Sequence, residues 1–506
     1  MKHLLLLFLF LFGFGEMEAQ KYKGDVWCFG DSAGIDWTSP SSPNFFRSMI
    51  HSRSGTASIC DSLGNLLIYS VYKKEPANNR GWVLNKFHQL IPNGDTIYFQ
   101  DWYHSVILIP GVNDSIIYLF SVSVTNSLNY GLYYSIVNYK ANNDSGIVTQ
   151  KNIQLNNLPA FDGLAAVKHG NGRDWWVIFK DYDPTPPYSL SNKFYVYLVN
   201  ENGPALQHTQ NVGALFYENG GHLFFNSEGS KIYICSWGGV IEYIDFDRCT
   251  GLFSNPTVIE PTRSAQPYPY YNSLALSPDE TKLYVSAYSQ YSSLGGTDSL
   301  YQFDLTAANI SASKTHIYGA PNTYIGLGAL RKAPDGNIYL AANYLNYYPY
   351  QDTSYNVYNT NLSVINQPDS LGLACDFQPF NFYLGGARTY NGLPNNPDYE
   401  LAAWVGSPCD TLTVGITEND EKNDVFFQAW YNPEWNMIHV NASKLKGNSG
   451  SLRLYDLEGR LIYDKKIEVI SGGYVTTEIG MQGITKGIYI VNLLTEKDYL
   501  SGKVMK

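Results

Sequence analysis

The stretch Asn272 to Tyr288, NSLALSPDETKLYVSAY, limits what this chain can fold into more than any other. Leu274 and Leu276 alternate with polar residues, Ser277-Pro278-Asp279-Glu280 turns the chain, and Leu283, Val285 and Ala287 alternate again. Period-two alternation on both sides of turn chemistry predicts a β-hairpin. The phrase recurs at Thr56–Val71, turning at Leu63-Gly64-Asn65, and at Ser105–Val122, turning at Val112 to Asp114. It recurs again at Leu164–Lys180, with Gly170-Asn171-Gly172 at the tip, at His222–Trp237 and at Leu327–Asn343. Neighbouring tips lie roughly 50 to 58 residues apart, within the range of propeller repeats with ornamented loops.

Most hairpins are followed by a further aromatic strand: Leu132–Tyr139, Lys193–Val199, Val240–Phe246, Leu300–Leu305. Three or four strands make a blade, and stacking blades around an axis covers faces that one sheet leaves bare. The fold class expected is therefore all-β, a β-propeller of about seven blades, with six or eight as neighbouring counts. A parallel β-helix or a pair of sandwiches would be the alternatives, and the long regular repeat argues against both. The seventh blade is expected in Leu373–Trp404, punctuated by Gly385-Gly386 and Gly392-Leu393-Pro394. Asp25–Gly30 (DVWCFG) reads as a lone strand before a Pro/Ser-rich stretch. It is expected to close the ring by pairing with a strand drawn from Leu373–Trp404.

Composition agrees. Charged residues are 16% of the chain, below the usual quarter, while Tyr (42), Phe (24), Gly (44) and Pro (24) are abundant. The net charge of −11, with no Lys/Arg cluster, excludes nucleic acid as a partner, because nothing basic is present to displace counterions.

Four regions follow. Residues 1–19 read as a signal peptide: Lys2 gives a positive start and Leu4–Phe14 an apolar run too short to span a bilayer. Residues 25–410 carry the propeller pattern, and 411–424 an acidic linker that includes VGITENDEKND. Residues 425–506 hold short alternating runs with turns at Gly459 and Gly472-Gly473, predicting a small immunoglobulin-like β-sandwich. No later stretch has the length of a transmembrane helix, so the mature chain is expected outside the cytoplasm without a transmembrane segment.

The C-terminal region resembles the sorting domain of the type IX secretion system of Bacteroidota. The matching residues are Trp430-Tyr431-Asn432-Pro433, Leu454-Tyr455-Asp456-Leu457-Glu458-Gly459-Arg460-Leu461, Lys486-Gly487-Ile488-Tyr489-Ile490-Val491 and Lys503-Val504-Met505-Lys506. The family usually opens on Pro-Asn-Pro, and Tyr431 stands at the first Pro. The resemblance implies Asn432, Pro433, Asp456, Gly459, Arg460, Gly487, Tyr489, Lys503 and Lys506 as motif residues. It also implies the type IX machinery as a partner and a secreted or outer-surface destination reached through the periplasm. The propeller region resembles a group of exported propellers of the same phylum on Trp27–Ile35, Gly64–Tyr69, Pro92-Asn93-Gly94, Tyr134–Val137, Asp245-Phe246-Asp247 with Thr250-Gly251, and Gly392-Leu393-Pro394. That likeness implies a fold and an address, not a chemistry.

Six Cys permit disulfides in an exported chain: Cys28, Cys60, Cys235, Cys249, Cys375 and Cys409. None has CxxC or Cys/His metal spacing. A hairpin about Gly238-Gly239 puts Cys235 opposite Glu242, which separates it from Cys249; Cys375 with Cys409 is the pairing expected.

No catalytic set emerges. Gly30-Asp31-Ser32-Ala33-Gly34 fits the G-x-S-x-G nucleophile elbow, but that elbow needs a helix after the Ser, and Ile35–Asn44 has no helical pattern. A glycine-permitted turn is the simpler reading. Asp245, Asp247 and Gly251 give part of a calcium loop without its third acid or distal Glu, so they read as turn caps. Asp181-Tyr182-Asp183 reads likewise. The His lack pairwise metal spacing. Tyr268-Pro269-Tyr270-Tyr271 and Tyr344–Tyr350 are candidates for an aromatic platform. Tripeptides such as Asp61-Ser62-Leu63 and Asp298-Ser299-Leu300 resemble the O-glycosylation acceptor of Bacteroidota, and are also ordinary turn chemistry. No catalytic, cofactor or metal residue is assigned. The functions left open are a binding module for a glycan, peptide or protein ligand, a hydrolase or lyase with its site at the propeller axis, and a structural envelope component.

Overall fold

The computed structural model describes residues 23–73, 80–99, 104–123, 131–182, 190–216, 220–261, 269–289, 296–344, 354–410, 426–433, 435–446, 448–456, 460–469, 473–495 and 497–506. The signal-peptide and linker expectations, and Tyr268, Leu345–Tyr350, Gly459 and Gly472, lie outside them. Two compact units divide between Asp410 and Thr411.

Among the described residues the first unit is a β-propeller of seven antiparallel sheets. Sheet one is β1 (Val26–Phe29), β2 (Asp31–Asp36) and β3 (Asn44–His51); sheet two is β4 (Ala57–Cys60), β5 (Leu66–Lys73) and β6 (Arg80–Asn85). Sheet three is β7 (Val106–Pro110), β8 (Ile116–Ser123), β9 (Gly131–Asn138) and β10 (Ile147–Asn156). Sheet four is β11 (Ala165–Lys168), β12 (Trp175–Lys180), β13 (Ser191–Asn200) and β14 (Gly203–Phe216). Sheet five is β15 (Gly221–Phe225), β16 (Lys231–Ser236), β17 (Ile241–Phe246) and β18 (Phe253–Glu260). Sheet six is β19 (Tyr270–Leu276), β20 (Lys282–Tyr288), β21 (Ser299–Asp304) and β22 (Thr315–Gly319). Sheet seven is β23 (Ile325–Lys332), β24 (Ile338–Tyr344), β25 (Asn361–Ile365) and β26 (Phe377–Tyr383). The strands β1, β4, β7, β11, β15, β19 and β23 follow one another around the axis.

The hairpin that organises the sequence is β19–β20, with Leu276 opposite Leu283 and Leu274 opposite Val285. Its tip closes by Ser277 N–H to Lys282 O and by Asp279 accepting from the Thr281 N–H. Every residue of β20 is buried, not one in two. Blades on both sides cover both faces, so the alternation marks which side chain goes to which neighbour rather than core against water.

Two expectations are corrected here. Leu373–Trp404 is not a blade: β26 is the outer strand of sheet seven, and residues 384–410 contain no named strand. The seventh blade is instead the first in sequence. Val26–Phe29 has a local partner, pairing with Ala33–Asp36 across the turn at Gly30, and the Pro/Ser-rich stretch is only the link from β2 to β3. Contact with the C-terminal segment is made one turn over, where the Asp31 and Arg388 backbones exchange hydrogen bonds of 2.7 and 3.2 Å.

The cysteine pairing is also corrected. Cys409 is bonded to Cys249, with the Cα atoms 5.2 Å apart, and Cys375 is a buried free thiol in a short helical turn before β26. The chain after β26 crosses the ring and ends beside sheet five, away from Cys375. Cys235 faces Ile241 rather than Glu242, and it too is free.

The second unit is a β-sandwich. One sheet is β27 (Phe426–Asn432), β28 (Met437–Ser443) and β31 (Val475–Gly480). The other is β29 (Ser449–Asp456), β30 (Leu461–Glu468), β32 (Ile488–Thr495) and β33 (Tyr499–Met505), ordered β30-β29-β32-β33. Ile438, Val440, Leu452, Leu454, Val491 and Leu493, alternate residues of three strands, form its core.

Candidate functional site

The axis of the propeller is crossed by residues 387–409 of the same chain. Their path is marked by glycines on the blades and on the segment itself. A Cβ on Gly30 would fall on the Arg388 carbonyl, one on Gly328 on the Asn391 carbonyl, and one on Gly392 on the Ser54 backbone. Backbone passes backbone there at distances no side chain allows.

Polar side chains hold the segment. Asn395 Nδ2 donates to the carbonyls of His104 (3.3 Å), Val106 (3.2 Å) and Leu164 (3.0 Å), and its N–H to Thr56 O. One residue thereby joins sheets two, three and four, the first by its backbone N–H and the others by its side-chain amide. Asn396 Oδ1 accepts from the Ser58 N–H, and the Tyr399 hydroxyl donates to Leu108 O at 2.8 Å. Arg331, from β23, donates to Pro394 O (2.7 Å) and Asn396 O (3.2 Å) and lies over the Trp27 ring. Further along, Lys168 Nζ reaches Tyr399 O, Arg248 reaches Ala402 O, and the Trp404 N–H reaches Gly170 O. The Cys249–Cys409 disulfide ends the crossing, and Gly170 leaves room for both sulfurs.

Beside the segment, His104 and His222 stack with ring centroids 3.9 Å apart. Burial, then the Arg331 charge, pushes His104 down to about 3; burial, His104 and Arg331 hold His222 well below its ordinary value. Both are neutral imidazoles at any physiological pH. His222 Nδ1 accepts from the Leu274 N–H, while His104 Nδ1 has no hydrogen-bond partner among the described residues. Burial alone pulls Arg331 toward about 10, against nearby Tyr399, Asp398 and Asp25. At Asp25 burial, with Glu400 and Asp36, raises the carboxyl to about 7. These perturbed groups gather where the tail crosses the ring, where the Arg331 guanidinium is spent on the Pro394 and Asn396 carbonyls and His222 Nδ1 on the Leu274 amide.

Gly30–Gly34 is a hairpin turn that runs into β2, with Ser32 at φ +63° and its Oγ on Asp31 Oδ1 at 3.2 Å. No helix follows it, and Gly30 is required by the close approach of Arg388. Asp31 itself is held well below the usual carboxylate range, against its burial, by hydrogen bonds with His51 and Tyr355 and by the Arg388 guanidinium. Asp245 forms a cross-strand ion pair with Lys231, while Asp247 Oδ1 accepts from the Cys249 N–H and Gly251 at φ +73° donates to Asp247 O, which is turn capping. Asp181 accepts from the Ser191 hydroxyl. Tyr344 stacks on Tyr358, with Tyr324 beside it half exposed.

Among the described residues the sorting-motif residues sit at the ends and turns of the sandwich, except Lys503, which lies within β33. Asp456 accepts from the Arg460 N–H (2.9 Å) and pairs with its guanidinium (2.7 Å), closing the link from β29 to β30. Gly487 and Lys506 exchange backbone hydrogen bonds, and Lys506 Nζ caps Met481 O and Ile484 O. The Tyr489 hydroxyl donates to Thr485 O, and Lys503 lies opposite Ile490. Asn432 Oδ1 accepts from the Trp435 N–H, with Pro433 exposed in the same turn.

Residues 428–506 match the family model described as the secretion system C-terminal sorting domain. That tail directs export to the cell surface or secretion. Among the described residues, no helix is long and apolar enough to cross a membrane. No match was found among curated proteins. Similar solved structures include PorZ, a surface component of the type IX secretion system of Porphyromonas gingivalis (10% identity, TM-score 0.29, covering 96% of this chain and 74% of that one). A copper-bound fungal alcohol oxidase of the AA5 family (9%, 0.35, 96% and 98%) and a luciferin-regenerating enzyme (11%, 0.32, 67% and 90%) are also similar. None of the three is close enough to carry an argument about binding or catalysis.

The sequence reading missed Asn391, Asn395, Arg331 and the His104–His222 pair. Each comes from a different blade or from the tail, so no local spacing relates them. The run Gly392-Leu393-Pro394-Asn395-Asn396-Pro397 carried the one available hint: it is dense in turn residues yet lacks a flanking alternation.

Proposed function

We propose that this exported protein is a binding module, delivered by a cleaved signal peptide and its sorting tail, whose propeller presents loops to a glycan, peptide or protein. The observation that carries the reading is the occupation of the axis by residues 387–409. A hydrolase or lyase working in the axial channel needs free polar groups and room there. Here Asn395, Asn396 and Arg331 are engaged by the chain itself. Recognition then falls to surface loops, with half-exposed aromatics such as Tyr324 and Tyr355.

A glycan and peptide array run beside a hydrolysis screen tests the reading. Retention of a ligand without turnover is the expected result; turnover abolished by His104→Phe or Arg331→Gln would reverse it. Deleting Val425–Lys506 should leave a folded propeller in the periplasm. Fractionation that finds the truncated chain still outside the cell would remove the sorting role.

A further inference from the structure

The outward face of the three-stranded sheet in the sandwich carries an aromatic row that its core does not need. Trp430 of β27 lies opposite His439 of β28, and His439 opposite Glu478 of β31. Their sequence neighbours Ala429, Tyr431, Ile438, Val440 and Ile479 turn inward and supply the core. The Trp430 and His439 rings stack at 5.2 Å and 19°, and Trp435, from the turn after β27, tilts against His439 at 5.5 Å. Glu478 Oε1 is 3.1 Å from His439 Nδ1, which fixes the imidazole between the indoles. Trp435 is 61% exposed and Trp430 36%. The next row across the same face is Gln428, Asn441 and Thr476, none of them buried.

Two indoles in water are unfavourable unless something covers them. We propose that this face is a carbohydrate platform, taking a neutral pyranose ring on Trp435 and Trp430 with its hydroxyls on Glu478, Gln428 and Asn441. A pyranose shows C–H bonds on its face and hydroxyls at its edge. The C–H bonds, slightly positive, suit the negative face of an indole. A carboxylate accepts from hydroxyls, and side-chain amides both donate and accept. Other occupants match less well. An apolar helix needs an unbroken apolar face, and here Gln428, Asn441, Thr476 and Glu478 interrupt it. A nucleic acid needs cations, and the face carries a carboxylate. The site lies in the second unit and does not depend on what the propeller binds.

The test is affinity gel electrophoresis of the full chain through xylan, mannan, β-1,3-glucan and galactan. Variants are Trp435→Ala, Trp435→Tyr and Glu478→Gln, with Trp404→Ala, an exposed propeller tryptophan, as the matched control. At least one polysaccharide should retard the wild type. Trp435→Ala should weaken that retention at least tenfold, Glu478→Gln several-fold, and Trp435→Tyr less than Trp435→Ala, while Trp404→Ala leaves it unchanged. The proposal is overturned if no polysaccharide retards the chain, or if Trp435→Ala, with unchanged Tm, migrates as wild type. Equal loss in Trp404→Ala moves binding to the propeller and overturns it too.

Discussion

The seven blades and the segment that crosses them are made of the same chain but are held by different means. A blade is held by ladders: β19, β20 and β21 pair residue by residue, and their side chains fill the space between neighbouring sheets. The segment 387–409 has no ladder. It is held by single side chains, Asn395, Asn396, Tyr399, Arg331 and Arg248, which together tie it to sheets two, three, four, five and seven, and by glycines that let backbone touch backbone. Ladders repeat, so a local loss is shared among many bonds. The crossing does not repeat, so each of its contacts stands alone and couples distant blades.

The largest expected effect sets a glycine of the crossing against a glycine of a blade tip. Gly392 does not have a positive φ, yet a Cβ there would fall on Ser54; Gly336, at φ +84° in the tip between β23 and β24, has nothing within 4 Å. Gly392→Val should therefore cost about 4 kcal/mol or more, since two backbones must part. Gly336→Ala should cost about 1 kcal/mol, the conformational term alone. Urea unfolding of both variants measures the pair, and equal midpoints would show that the crossing is no more demanding than a tip.

Next comes the disulfide. Cys249 and Cys409 lie 160 residues apart in sequence, so the bridge closes a long loop and confines the unfolded chain. Cys409→Ser should cost about 3 to 4 kcal/mol, while Cys375→Ala, which removes a buried thiol of sheet seven, should cost about 1 kcal/mol. Adding a reductant should lower the wild-type Tm to that of Cys409→Ser and leave Cys409→Ser unmoved.

The stacked imidazoles predict an acid limb. Both folded values lie below the unfolded value of about 6.5, so the stability they contribute is full above that pH and falls as pH drops toward about 3 for His104. Each costs about 1.4 kcal/mol per pH unit in that window. Asp298 and Glu242, raised to about 7 chiefly by burial, have the opposite sign: their contribution is full below the ordinary carboxylate range and lost as pH rises through 7. Subtracting the Tm–pH curve of His104→Phe from the wild type isolates the histidine. Parallel curves between pH 6.5 and 4.5 would remove it as the cause.

What was legible in the sequence follows the same division. Six hairpins stood out because each is local and written at period two; Leu327–Asn343, for instance, became β23–β24. The sandwich strands did so too, since the short alternating runs of residues 425–506 became β27 to β33. Sheet one was hidden because Ser39–Ser42 reads as a break, although it is only a turn. The tail was misread because Gly392 and Pro394 look like hairpin punctuation. A glycine needed for close approach cannot be told from one needed for a turn until its neighbour is known. Cys249 and Cys409 meet for the same nonlocal reason.

The smallest expected effect concerns Ser32, where a catalytic pattern and a turn compete for one residue. Its φ of +63° is a strained conformation for any side chain, and its hydroxyl makes one 3.2 Å bond, to the adjacent Asp31. Asp31 is already held by Arg388 at 2.9 Å and Tyr355 at 2.9 Å, so that bond adds little. Ser32→Ala should change stability by less than about 0.5 kcal/mol, because a Cβ remains at the same φ. Ser32→Gly should be stabilising by about 0.5 kcal/mol, since relief of the strain exceeds the added freedom of the unfolded chain. Any activity found for the protein should survive both. A nucleophile would show the reverse order of consequence: both variants would lose turnover together, whatever their stabilities, and the turn would have to be read again as an elbow.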